Sequence, residues 1–293
     1  MTTLNDVGLD PAVVADIVDR ALAEDLRVTD PGSSAVDVTS TATIPFDLQG
    51  IADVRTRAAG VVAGLEVAAL VFERAGARVE IVASDGDRVQ PGDVVLTAEG
   101  PVRQLLTVER TMLNLLCHLS GIATLTARWL DAVAGTGAGI RDTRKTTPGL
   151  RALEKYAVRC GGGINHRMGL WDAALVKDNH VAAAGGVAAA FRLVRKEFPG
   201  ITVEVECDTV AQVREAVEAG ADLILLDNMS LADLRACVEL APGTVLEASG
   251  GLTLESAHDV AATGVTYLSV GALTHSAPIL DLGMDLRGEP SGA

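Results

Sequence analysis

The sequence predicts an α/β protein in two parts, an α+β domain followed by an α/β barrel, and three observations predict it. A chain of 293 residues has a prior of two domains, at about 150 residues each. From Asp53 to about Pro101 short β-branched runs such as VEIVAS and DVVLTAEG are separated by the turn sequences SDGD and QPGD, a pattern of strands and tight turns. From Ile140 onward six aliphatic runs, IRDT, ALVK, TVEVE, LILL, VLEA and YLSV, alternate with helical segments. Such repeats force parallel pairing through right-handed crossovers, and six in one domain favour closure into a barrel. An open doubly wound sheet is the alternative, although no GxGxxG follows a first strand.

Asp10 and Pro11 supply an N-cap and a first-turn proline, after which Val13, Val14, Ile17, Ala21 and Leu22 recur at helical spacing. The stretch DGDRVQPGDVVL is similar to a lipoyl-type hammerhead but lacks a lysine to carry a cofactor, so it is taken as a structural turn. Gln104 to Ala134 is expected as one long helix joining the two parts. Leu105, Leu106, Met112, Leu113, Leu116 and Leu119 form its apolar stripe, and Gly121 is a candidate interruption.

Composition excludes several classes of function. A hydrophobic content of 48% describes a packed globular chain, and a net charge of −15 would repel a polyphosphate backbone, which disfavours nucleic-acid binding. No apolar run reaches the roughly 18 residues needed to span a bilayer, and MTTLNDVGLDP has no signal-peptide pattern, so a cytoplasmic protein with no membrane partner is expected. Cys117, Cys160, Cys207 and Cys237 lie far apart with no CxxC pair; they are expected to be reduced, packed in the interior and without a chemical role.

In parallel α/β folds the chemistry collects at the carboxyl ends of the strands, and here those ends are polar or glycine. Thr143, Arg144 and Lys145 follow the first run, and Lys177, Asp178, Asn179 and His180 the second. Glu206 and Asp208 follow the third, Asp227 and Asn228 the fourth, Ser249, Gly250 and Gly251 the fifth, and Gly271 and Ala272 the last. Any one of these could be a solvated strand cap; six in series point to a site. Between Arg141 and His180 there are eight Lys or Arg against four Asp or Glu, a local excess of +4. The chain has only four lysines, of which Lys145 and Lys177 end strands, while Lys155 and Lys196 are expected on helix surfaces. Ammonium point charges and planar guanidinium forks together suit a multiply anionic ligand. The glycines after the last two strands offer backbone amides to a phosphate. Glu206 and Asp227 would face the same mouth, where they could bond ribose hydroxyls, hold a divalent cation, stabilise positive charge on a sugar carbon, or simply pair with Lys145 or Lys177.

The run IRDTRKTTPGLRALEKYAVRCGGGINHRMGLWDAALVKDNH resembles the signature region of quinolinate phosphoribosyltransferases. The likeness extends to ALAEDL, DVTS, ERTMLNLLCHLSGIAT, EVEC, LILLDNMS, EASGGL and GVTYLSVGALTHS. RVTDPGSSAV, Arg27 to Val36, is longer than the family pattern, which leaves its loop geometry open. The resemblance implies an incomplete α/β barrel (residues 116–276) with an N-terminal α/β sandwich domain (1–115, rejoined by the tail 277–293). It implies a homodimer or larger assembly in which Arg110 reaches the neighbouring subunit's site. It further implies that Arg110, Thr143, Arg144, Lys145, His166, Arg167 and Lys177 bind the carboxylates of quinolinate and the phosphates of phosphoribosyl pyrophosphate (PRPP). Glu206 and Asp227 would face the ribose, and Ser249, Gly250, Gly251, Gly271, Ala272 and Leu273 would cradle the 5′-phosphate with His275 nearby.

The catalytic set implied is Lys145, Lys177, Glu206 and Asp227. The cofactor is Mg2+, carried mainly by PRPP, with Asp178, Glu206 and Asp227 as further oxygen donors. A nicotinate phosphoribosyltransferase shares the fold, but the cations suit a diacid better. Two readings from other classes are a Schiff-base barrel lyase with Lys177 as nucleophile and a non-catalytic anion-binding subunit. The first predicts borohydride trapping, and the second predicts no turnover to lose in Glu206→Ala.

Overall fold

In the computed structural model, residues 3–26 and 36–287 are described. Residues 27–35, most of the long stretch after ALAEDL, lie outside them. The chain divides into two compact units, one of residues 1–125, 147–162 and 277–293 and one of residues 126–146 and 163–276.

The first unit opens with α1 (Pro11–Asp25), capped by the Asp10 carboxylate, and α2 (Val38–Thr43), capped by Asp37. Then follow β1 (Gln49–Thr56), β2 (Gly60–Val61), α3 (Leu65–Arg74), β3 (Arg78–Ile81), β4 (Arg88–Val89) and β5 (Val94–Pro101), before the long helix α4 (Val102–Ala132). Gly121 does not interrupt α4. A Cβ there would collide with the backbone of Pro278 and Ile279, so this glycine lets another segment of the same unit cross the helix closely.

The second unit supplies β6 (Gly139–Arg141), after which the chain returns to the first unit for α5 (Arg151–Cys160). Lys155 of α5 is completely buried, against the expectation of a helix surface. Five of its nine partners in that helix are buried with it, so α5 lies in the interior and a lysine there cannot be a solvated face residue. Parallel β/α units then run through β7 (Ala173–Val176), α6 (Asp178–Ala184), α7 (Val187–Glu197), β8 (Thr202–Cys207), α8 (Val210–Glu218), β9 (Leu223–Asp227), α9 (Leu231–Leu240), β10 (Val245–Ser249), α10 (Leu254–Ala261), β11 (Tyr267–Ser269) and α11 (Ala272–His275). The chain ends in the first unit with β12 (Leu282–Leu286).

In the first unit β12, β1, β5 and β3 form a four-stranded antiparallel sheet in that order. The tail strand is fastened by more than its ladder. Asp53 of β1, 1% exposed, accepts from Arg287 Nη2 at 2.6 Å and Nε at 2.9 Å, from Arg55 at 2.7 Å and from Thr97 Oγ1 at 2.9 Å. The hydrogen bond from Arg287 is the first cause that holds the Asp53 carboxyl below its ordinary pKa. A depressed carboxylate pKa contributes stability that is present above the unfolded value and lost as the pH falls through the folded one. Asp53→Asn is therefore expected to cost about 1–3 kcal/mol at neutral pH, with a shallower loss of stability below about pH 4. Urea melts of the two proteins across that range check this.

In the second unit the order is β6, β11, β10, β9, β8, β7, all parallel. These are the six runs picked out in the sequence. No ladder joins β6 to β7; instead Ile164 makes an isolated parallel bridge to Arg141 on the outer side of β6. In a flat sheet β6 and β7 would stand roughly 24 Å apart. Residues on or just after all six strands nonetheless line one cavity of about 600 Å3, so the sheet wraps around it. The architecture is an incomplete barrel, and the open doubly wound sheet is excluded.

Candidate active site

Side chains alternate along each strand, and the register decides which reach the cavity. On β8, Glu204 and Glu206 share the inner face; on β10, Glu247 and Ser249 do, and Ser269 of β11 is paired beside Ser249. The strand ends form the rim: Thr143, Arg144 and Lys145 after β6, Lys177 after β7, Glu206, Asp227, and Ser249, Gly250 and Gly251, with His166 and Arg167 from the segment before β7. Arg144, Lys145, Arg167 and Lys177, spread over 34 positions of sequence, thus meet at one mouth.

Local hydrogen bonds set each group. Thr143 Oγ1 accepts from the Lys145 amide at 3.0 Å, and Thr274 Oγ1 donates to the Lys145 carbonyl at 2.7 Å, so the Lys145 backbone is held from both sides. Gly271 keeps the path of that side chain open, because a Cβ there would lie 3.1 Å from Lys145 Cδ and from His275 Nε2. Lys177 Nζ stands 2.5 Å from Glu206 Oε2. The Arg167 guanidinium donates to the Ala173 carbonyl at 3.0 Å. Burial first, and then the neighbouring Arg144 charge, lower its pKa. Two guanidiniums held together in this way form a receptor for a doubly anionic group.

Asp227 accepts from Asn228 Nδ2 at 2.7 Å. Asn228 has φ 54°, the only non-glycine left-handed residue among those described, and its amide donates to the Ser249 carbonyl at 2.9 Å. Gly250, at φ 89°, lies directly against the Asn228 amide, with no room for a Cβ. Gly250→Ala is expected to strain the backbone and displace Asn228 and Asp227 together. The predicted outcome is a loss in kcat/KM on the order of 10²-fold, read by steady-state assay alongside circular dichroism that stays native.

Beneath the rim lies a second charged layer that strand-end reasoning missed. Glu247, fully buried, meets Arg141 and Ser269, and burial first, then Glu204, raise its pKa. His166 Nε2 stands 2.7 Å from Glu204 and 3.5 Å from Glu247. The alternation in TVEVE and VLEAS carried this signal, since it places Glu204 with Glu206 and Glu247 with Ser249. His166, Glu204 and Glu247 have ligand atoms within 4.8 Å of one another, but His166 and Glu204 are already in direct contact. The accessible oxygen donors for a hard cation are Glu206 and Asp227.

Six of the expected residues do not line the cavity. Asp178 is exposed, its Oδ1 accepting from the Asn179 amide at 2.7 Å. Leu273 is fully buried. Ala272 begins α11 behind Gly271, and His275 is exposed and paired with Ser276 Oγ at 2.6 Å. Arg110 belongs to the first unit, where it is exposed beside a cavity of about 280 Å3 shared with Arg57, Glu109, Asn114 and Asp281. As expected of interior thiols, Cys117, Cys207 and Cys237 are buried and Cys160 half-buried, all four free. No helix among the described residues is long and apolar enough to cross a membrane.

An incomplete barrel with four cations, two carboxylates and a glycine loop at the carboxyl ends of its strands defines an enzyme that handles multiply anionic small molecules. Residues 37–120 match the quinolinate phosphoribosyl transferase N-terminal domain and residues 122–285 its C-terminal domain. The chain is 50% identical over 291 residues to the nicotinate-nucleotide pyrophosphorylase (carboxylating) of Mycobacterium leprae, covering 97% of this chain and all of that protein. It is 40% identical over 286 residues to a mitochondrial quinolinate phosphoribosyltransferase (decarboxylating) of Nicotiana tabacum, covering 90% and 81% of the two chains. The solved structure of NadC from Streptococcus pyogenes superposes with a TM-score of 0.89 at 41% identity over 95% of this chain and 98% of that one. This chain belongs to the quinolinate phosphoribosyltransferase family.

Proposed function

We propose that the pocket transfers the phosphoribosyl group of PRPP to the ring nitrogen of quinolinate and then releases the adjacent carboxylate as carbon dioxide, giving nicotinate mononucleotide for de novo NAD synthesis. The observation that carries this reading is the meeting of Arg144, Lys145, Arg167 and Lys177 at one mouth with Glu206 and Asp227. Two anionic substrates need that positive charge, and the sugar carbon needs the carboxylates.

Arg144 and Arg167 grip the diacid, and the Ser249–Gly251 turn takes the 5′-phosphate on its amides. The pyridine nitrogen attacks C1 of the ribose as the bond to pyrophosphate breaks, and Glu206 and Asp227 stabilise the positive charge that grows there. The nitrogen is then cationic and stabilises the electron pair left on C2 when the 2-carboxylate departs as carbon dioxide, and that carbanion takes up a proton. The Lys145 and Lys177 ammonium groups stand at the same mouth to supply it. Mg2+, arriving with PRPP and fitting the hard oxygens of Glu206 and Asp227, would neutralise the departing pyrophosphate.

The reading includes a homodimer in which Arg110 enters the neighbouring subunit's pocket. An exposed arginine remote in sequence from the other cations supports it. Mixed subunits of Arg110→Ala and Glu206→Ala, each inactive alone, are then expected to regain about a quarter of wild-type activity through one intact site per hybrid; mixing without recovery would count against it. Four free cysteines suit a reducing compartment, which we take to be the cytoplasm. The assay that tests the whole reading supplies Mg2+, PRPP and quinolinate and measures nicotinate mononucleotide and carbon dioxide in equal amounts. Product from nicotinate but not from quinolinate would overturn it.

A further inference from the structure

Most charged groups of the pocket stand on strand ends, which the barrel holds rigid. Arg167 does not: it lies in the irregular segment between Gly163 and Asp172, whose ladder contact is the single bridge at Ile164. Upstream, buried Asp142 holds that segment, accepting from Asn165 Nδ2 at 2.6 Å and from the His166 amide at 2.8 Å. Downstream, Met168 to Asp172 belong to no strand or helix until β7 begins at Ala173. The Arg167 guanidinium nevertheless reaches a fixed point beyond that stretch, the Ala173 carbonyl, to which it donates at 3.0 Å.

That bond spans six positions of sequence, so it needs the intervening chain to close on itself. Burial does not close it, because Leu170 and Trp171 at the tip are 71% and 78% exposed. A carboxylate does. Asp172 Oδ2 accepts the Met168 amide at 2.6 Å and Oδ1 the Gly169 amide at 3.1 Å, so the last residue of the stretch binds the two amides that follow Arg167. Gly169 suits the turn, since a Cβ there would lie 2.5 Å from Trp171 Nε1. Burial opposes the Asp172 charge, but the Met168 and Gly169 amides outweigh it and hold the carboxyl below its ordinary pKa. The charge acts on its neighbour as well: burial and Arg144 disfavour the Arg167 cation, while Glu204 and Asp172 favour it.

We infer that Asp172 is a positioning residue for substrate binding: by gathering the Met168 and Gly169 amides on its carboxylate it closes the turn after Arg167, brings the Ala173 carbonyl to the guanidinium, and so aims the Arg167 fork into the pocket. Asp172 itself does not line that cavity and acts only through the arginine.

The inference rests on the proposed function only for its kinetic arm. NMR of protein labelled with 15N-arginine needs no turnover. A guanidinium pinned to a carbonyl rotates slowly about its Nε–Cζ bond, so Arg167, identified by the signals missing from Arg167→Ala, should show separate Nη resonances. In Asp172→Ala these should merge into one average. Separate resonances that persist in Asp172→Ala, or a single average already in the wild type, would overturn the inference. Asp172→Asn keeps the shape and one amide acceptor, so it carries the same comparison if the alanine variant does not fold; faster rotation is expected there, and an unchanged rate would contradict the role. In the kinetic arm, Asp172→Ala should raise the KM for quinolinate about 10-fold and Asp172→Asn about 3-fold, each leaving kcat and the KM for PRPP within about 2-fold. A loss that falls on kcat, or on both substrates alike, would mark general disruption instead of positioning. In an Arg167→Ala background Asp172→Ala should add less than about 2-fold, because its effect passes through Arg167; a full independent loss would count against it. If the wild-type enzyme fails to convert quinolinate, the functional reading falls while the NMR result still decides whether Asp172 holds Arg167.

Discussion

Glu206→Ala is expected to lower kcat by about 10²–10³-fold and to leave the KM for quinolinate within about 3-fold of wild type. The side chain is 12% exposed, on the inner face of β8 at the mouth of the barrel. A carboxylate there gains interaction as C1 becomes positive and offers little to a neutral sugar before that, so its removal acts on the transition state. Its pairing with Lys177 at 2.5 Å also sets where that ammonium stands, and the alanine variant loses both effects. Glu206→Gln keeps the shape without the charge and should lose nearly as much. Steady-state and single-turnover rates check this, and a loss confined to KM would place Glu206 in binding instead of catalysis.

Arg167→Ala is expected to raise the KM for quinolinate on the order of 10²-fold, the effect of losing a guanidinium fork on a carboxylate, at about 2–5 kcal/mol. The same variant should be more stable than wild type without ligand. Burial and the Arg144 charge both act against the Arg167 cation, which is why its pKa is lowered, and removing it relieves that opposition. Weaker binding together with a higher unfolding midpoint distinguishes a residue held under electrostatic strain for binding from one that supports the fold. Arg167→Lys keeps the charge without the fork and should restore stability to near wild type while recovering little of the affinity.

Local patterns in the sequence made much of this legible. The six parallel strands were visible because each is a short aliphatic run, buried on the sheet face and ended by polar residues. The same ends exposed the cations and carboxylates of the rim. What escaped depends on neighbours that a one-dimensional pattern does not contain. Lys155 looked solvated because lysine usually is, but α5 is interior on nearly every side. Gly121 looked like a helix break, and its reason is the chain crossing at Pro278 and Ile279, distant in sequence. The layer of Arg141, Glu204 and Glu247 was hidden because barrel interiors are ordinarily filled with aliphatic side chains. TVEVE was therefore noticed for its terminal glutamate and not for the buried one. The roles given to Arg144, His166 and Arg167 came from family likeness, and the hydrogen bond from the Arg167 amide to His166 Nδ1 is visible only in the fold.

The central claim is that the cations at the barrel mouth receive the diacid, and a crystal structure with quinolinate bound tests it most directly. The account predicts density for the pyridine ring in the cavity, with its carboxylates on the Arg144 and Arg167 guanidiniums and its nitrogen turned toward Glu206 and Asp227. Quinolinate bound elsewhere on the chain, or in the cavity with its carboxylates away from both arginines, would contradict it.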